Sequence, residues 1–151
     1  MPARLITTDD LETAQFATVA NAWALQKGIL QTTVRAIKAS EALEEGDFVN
    51  IYDNGGITEC RLAIAADPTL RANGFVLVDV ANGGIAQVYL IGLNVKAPVT
   101  TSASQVYLSD AVGGKPSLDM PTTPGFFIQS LGVAIANVGI FFTTQPIVEL
   151  S

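Results

Sequence analysis

Three glycine pairs, Gly55-Gly56, Gly83-Gly84 and Gly113-Gly114, each stand between short apolar runs rich in β-branched and aromatic residues. Asn and Gly at such points supply the positive φ values that a tight hairpin requires. The stretch over residues 31–151 therefore reads as all β. "DFVNIYDNGGITECRLAIA" predicts two strands about Asp53-Asn54-Gly55-Gly56, and "NGFVLVDVANGGIAQVYLIG" repeats the plan about Asn82-Gly83-Gly84. In "VYLSDAVGGKPSLDMP" a strand through Val106, Tyr107 and Leu108 turns at Gly113-Gly114 and returns at Ser117-Leu118. The tail predicts two strands about Asn137-Val138-Gly139 and a short one over residues 147–150, with Gly132 marking a bulge or a close backbone approach. The three copies differ too much in length for a solenoid. Two linkers separate the units: residues 66–74, with turn chemistry about Asp67-Pro68, and the polar residues 96–104.

The third turn also invites a phosphate-binding reading, because Lys115 follows the glycines. A phosphate loop needs a longer glycine frame, Ser or Thr after the Lys, and a helix N-terminus facing the anion. Pro116 stands in that place and removes an amide donor, so Lys115 reads as a solvated residue beside a hairpin tip. Cys60, Leu62 and Ile64 alternate with Glu59, Arg61 and Ala63, which predicts one apolar and one partly polar face with Cys60 in the core.

Residues 1–30 follow a different grammar. Residues 1–8 read as an arm whose apolar or basic holds are Arg4, Leu5 and Ile6. Asp9 with Glu12 resembles a capping box, Phe16, Val19, Ala20, Trp23 and Leu30 recur at helical spacing, and Gly28 suits a C-cap. A short helix is favoured, although Val19, Asn21, Trp23 and Leu25 also fit a period of two. The expected organisation is an arm and helix over 1–30 and a β domain over 31–151.

Composition narrows the chemistry. With 151 residues the chain can bury a sizeable core without staples. It has one cysteine and no histidine, so an intrachain disulfide, a cysteine-based metal site and a Ser-His or Cys-His nucleophile pair are excluded. The eight basic residues are scattered in a chain of net charge −6, which argues against nucleic acid. No apolar run is long enough for a membrane span, and "MPARLITTDD" does not read as a secretory signal. Hydrophobic residues nonetheless make up 49% of the chain and charged residues only 15%, which predicts surface hidden in partners.

Paired carboxylates could work without histidine, and Asp53, Asp79, Asp110 and Asp119 are the candidates. Each stands at a turn or strand end, where Asp commonly caps local amides. "DNGG" lacks the alternating acidic loop of a calcium site, and neither metal nor cofactor is expected. Trp23, Tyr52, Tyr89 and Tyr107 could line a sugar platform, but mid-strand aromatics ordinarily pack in a core or an interface.

"EGDFVNIYDNGG", "NGFVLVDVANGGIAQVYLIGLN", "QVYLSDAVGGKP" and "FIQSLGVAIANVGIFFTTQPIVEL", in that order, resemble the blocks of the small capsid decoration, or cement, proteins of tailed bacteriophages. The resemblance spans roughly residues 45–150 and rests on the succession of blocks, not on one motif. It implies a mainly β fold, a β-sandwich or tulip-like β-barrel, in a homotrimer on the outer surface of the virion head that clamps the major capsid protein. Residues 1–30 depart from it. Arg4, Leu5, Ile6, Phe16 and Trp23 are the capsid-binding candidates, and a non-enzymatic structural role is expected. The alternative is a carbohydrate- or receptor-binding virion module, such as a head fibre or knob, recognised by exposed aromatics beside turn carboxylates.

Overall fold

A computed structural model describes residues 33–97 and 104–151. The arm, the short helix and all five capsid-binding candidates, Arg4, Leu5, Ile6, Phe16 and Trp23, lie outside the described residues, as does most of the 96–104 linker. From Val34 onward the chain is one compact unit. It is mainly β, as expected: a closed five-strand barrel carries a five-stranded sheet and a two-stranded ribbon.

The barrel comprises β1 (Val34–Ala39), β2 (Phe48–Asn54), β3 (Ile57–Leu62), β4 (Gly74–Phe75) and β5 (Ile85–Tyr89). The hairpin β2–β3 forms as the sequence indicates. Pairing runs from Val49 opposite Leu62 to Asn54 opposite Ile57, which leaves Gly55 and Gly56 as the loop with φ values of 62° and 90°. Two successive positive φ angles match the right-handed twist of the arms. Closure comes from β1, which lies parallel to β3 and antiparallel to β5. Small or β-branched side chains line the interior, among them Ala39, Val49, Cys60, Ala86 and Val88, all fully buried.

The second copy of the glycine plan folds differently from expectation. β4 holds only Gly74 and Phe75, and residues 76–79 leave the sheet before the Gly83-Gly84 turn. The turn over residues 44–47 draws them away. Val76 exchanges backbone hydrogen bonds with Asp47 and Gly46, and Asp79 Oδ1 accepts the Glu45 amide at 2.9 Å. Tertiary pairing thus overrides a local hairpin signal.

The sheet has the order β6 (Ile91–Asn94), β11 (Gly139–Thr143), β10 (Ser130–Ile135), β7 (Gln105–Leu108) and β8 (Pro116–Ser117). A ribbon pairs β9 (Phe127–Ile128) with β12 (Val148–Glu149). The expected hairpins β7–β8 and β10–β11 are both present. Gly132 is both a bulge and a close approach: register shifts between Ser130 and Gly132, and a Cβ there would be driven into the Phe141 carbonyl oxygen.

A second core welds sheet to barrel. Phe48 and Phe75 from the barrel meet Phe142 from β11 at centroid distances of 5.5 and 6.0 Å, and Leu131, Ala134 and Ile140 fill around them. Full burial of each such side chain stabilises by about 1.5–3 kcal/mol. β2 serves both cores, with Phe48 facing the sheet and Val49 the barrel interior. Across the seam, buried Gln129 mimics a strand partner: its Oε1 accepts the Ala72 amide at 2.7 Å and its Nε2 donates to the Ala72 carbonyl at 2.8 Å.

Three local expectations are corrected. Glu59 is buried, because Lys38 from the parallel neighbour β1 lies 2.7 Å from its carboxylate and Tyr52 and Asn54 donate to the other oxygen. The alternation ends with β3 at Leu62, so Ala63 and Ala65 are fully buried and Ile64 is half-buried. Lys115 is no free solvated side chain: its Nζ lies 2.7 Å from buried Asp47 and 3.0 Å from Glu44.

Candidate functional site

The four strands β6, β11, β10 and β7 contain no charged residue. Residues 120–148 likewise lack charge entirely, in a chain whose net charge is −6. Strand geometry sends alternate side chains to opposite faces. Ile140, Phe142, Leu131, Ala134 and Val106 turn inward to the core. The register sets Leu93 opposite Phe141, Phe141 opposite Val133 and Val133 opposite Gln105, so one outward row crosses all four strands. Ile91 and Ile135 extend it above and below. Phe141 is 49% exposed, Val133 44%, and Ile91 and Ile135 43% each.

The bulge shapes this face. Because Gly132 carries no side chain, a shallow recess of about 450 Å³ opens over it, flanked by Val133 and Phe141 and edged by Gln105, Ser130 and Thr143. The Gln105 amide donates to the Ser130 hydroxyl and Ser130 Oγ accepts the Gly132 amide at 3.2 Å, so the polar edge is internally bonded. At one end of the sheet the turn residues Val95 and Val138 are also exposed.

The barrel surface differs. Ile57 and Ile85 are exposed singly, with Lys38 paired across the strands from Ile85 and Asp53 two residues from the Gly55-Gly56 loop. Scattered exposed apolar side chains are ordinary; a contiguous uncharged row is not.

The other sequence candidates have local roles. Asp53 accepts the Gly56 amide at 3.0 Å, Asp79 accepts the Glu45 amide, and the Asp119 backbone amide donates to Ser117 Oγ at 3.0 Å; Asp110 follows β7 in the loop to β8. Among the described residues no three acidic or cysteine side chains converge as a metal site. Cys60 is fully buried, and burial first, then the charges of Glu59 and Glu41, push its thiol up to about 11. Arg61 lies 4.1 Å from the Tyr52 ring centroid and Tyr89 stacks on Phe75 at 5.4 Å, so one face of each ring is already engaged within the domain; Tyr107 is half-buried in β7.

Comparison with family models, with curated proteins and with solved structures returns no match. Fold and surface define the class: a mainly β domain with an apolar, charge-free sheet face among the described residues.

Proposed function

We propose that the chain is a structural virion protein that binds the outer surface of a phage head and stabilises its lattice as a decoration, or cement, protein. The observation that carries the reading is the uncharged outward row of Leu93, Phe141, Val133 and Gln105 on the sheet, flanked by exposed Ile91 and Ile135. A bare face of that kind is unfavourable in water and suits lasting contact with protein. The ordered blocks that resemble cement proteins supply the kind of assembly. Copies associate with one another through the β domain, while the 1–30 segment, through Arg4, Leu5, Ile6, Phe16 and Trp23, holds the major capsid protein. The mechanism is mass action. Binding only the expanded shell stabilises it by about 2.7 kcal/mol per site when free protein is at 100 times Kd.

The carbohydrate-binding alternative is less well supported, since Tyr52 and Tyr89 each already engage one ring face within the domain, with Arg61 and Phe75 respectively. The test is deletion of residues 1–8. Pelleting with expanded, undecorated heads should weaken while the circular dichroism of the β domain stays unchanged. Truncated protein that decorates as well as the full chain would remove the arm from the mechanism.

A further inference from the structure

We infer that the uncharged face of β6, β11, β10 and β7 is where copies of this chain meet, with Phe141 of one copy seated over Gly132 of its neighbour. The inference rests on the self-association in the proposed function and names the surface that performs it.

Shape is the first argument. Phe141 projects from the face as its largest exposed side chain, and the recess over Gly132 lies beside it. No side chain at position 132 can fill that recess, because it would strike the Phe141 carbonyl and the backbone there has φ 125°. A knob and a hole on one face make the face self-complementary, which is what a two-fold contact between copies requires. Gln105, Ser130 and Thr143 around the recess supply a polar edge of the kind that rims an interface.

Charge is the second. Copies that each carry −6 repel one another, and the repulsion is weakest where no charge stands. The barrel presents Arg35, Lys38, Asp53 and Arg61, whereas the four sheet strands present none. A strongly charged partner would have to strip water from its own charges against Phe141, Val133 and Ile135 with nothing to pair them. A second copy offers the same apolar row and brings no such penalty.

The experiment measures mass in solution by analytical ultracentrifugation over a concentration series. Wild type should sediment as a closed oligomer. Phe141→Glu and Val133→Glu, both at exposed positions, should be monomers with native circular dichroism, and Ile85→Glu, on the barrel at 62% exposure, should keep the wild-type mass. Should a glutamate variant fail to fold, Phe141→Ser carries the test, with a dissociation constant raised at least about 30-fold, the size of a hot-spot effect. A monomeric wild type, or glutamate or serine variants that associate as tightly as wild type, would overturn the inference. Head pelleting of the same samples is scored separately: wild type that binds heads through some other self-contact leaves the shell reading intact and removes only this face.

Discussion

Gln129→Ala should unfasten the seam between barrel and sheet. Gln129 is fully buried, and its amide satisfies both backbone groups of Ala72, itself fully buried, from 57 positions away in sequence. Truncation leaves a buried N–H and a buried C=O without that partner. Each such loss is worth about 1–3 kcal/mol, so the two together come to about 2–6 kcal/mol. Domains of this kind hold about 5–15 kcal/mol in all, so the change is large. With a urea slope of about 2 kcal/mol per molar, the midpoint should fall by about 1–3 M. The assay is urea unfolding followed by far-ultraviolet circular dichroism, at one fixed protein concentration because self-association adds to apparent stability. Gln129→Glu sharpens the test. At neutral pH the introduced carboxylate can accept from the Ala72 amide but faces the Ala72 carbonyl with no proton to donate. Protonation restores a donor, so the deficit of this variant relative to wild type should shrink as pH falls. A loss below about 1 kcal/mol for Gln129→Ala, with an unchanged slope, would refute the reasoning and mean that water serves Ala72 equally well.

Other expectations follow from single contacts. Gly132→Ala should cost about 3 kcal/mol or more, since the added Cβ meets the Phe141 carbonyl, whereas Gly83→Ala, at φ 82° with open space around it, should cost about 1–2 kcal/mol by thermal unfolding. Hydrogen bonds from Lys38, then Asn54 and Tyr52, hold the Glu59 carboxyl below its ordinary range. A carboxylate so lowered stabilises the fold fully above its unfolded value, about 4.3, and ceases to as pH falls through its folded value. Glu59→Gln should therefore flatten the acid limb of the stability profile and lower stability at neutral pH, and an unaltered acid limb would contradict this. Cys60, its thiol raised to about 11 and fully buried, should react with a thiol reagent only as fast as the domain opens, and at the free-thiol rate in urea.

Legibility in the sequence followed the range of the interaction. The Gly55-Gly56 hairpin and the anomaly at Gly132 were readable because a positive φ or a missing Cβ is a property of one residue and its immediate neighbours. The Gly83-Gly84 unit misled because Val76 and Asp79 bond to the 44–47 turn, a pairing about 30 residues distant that no local signal announces. Lys115 read as solvated and Glu59 as part of a partly polar face for the same reason: Asp47 and Lys38, which draw them in, come from other strands or turns. Burial disfavours the charged Lys115, yet its hydrogen bonds to Asp47 and Glu44 outweigh that and raise its pKa. The candidate face was half legible. The absence of charge over residues 120–148 is plain in the sequence, but Phe141 and Phe142 are adjacent and identical, and only the register of β11 against β6 and β10 decides which packs in the core and which faces outward.

The central claim is that this domain acts by binding a shell. Its most direct test is a titration of purified full-length protein into expanded, undecorated phage heads, with bound protein measured in the pellet and the temperature of head disruption measured at each ratio. The account predicts binding that saturates at a fixed number of copies per capsid subunit and a disruption temperature that rises until saturation. Protein that stays in the supernatant at every ratio, or that pellets without raising the disruption temperature, would contradict it.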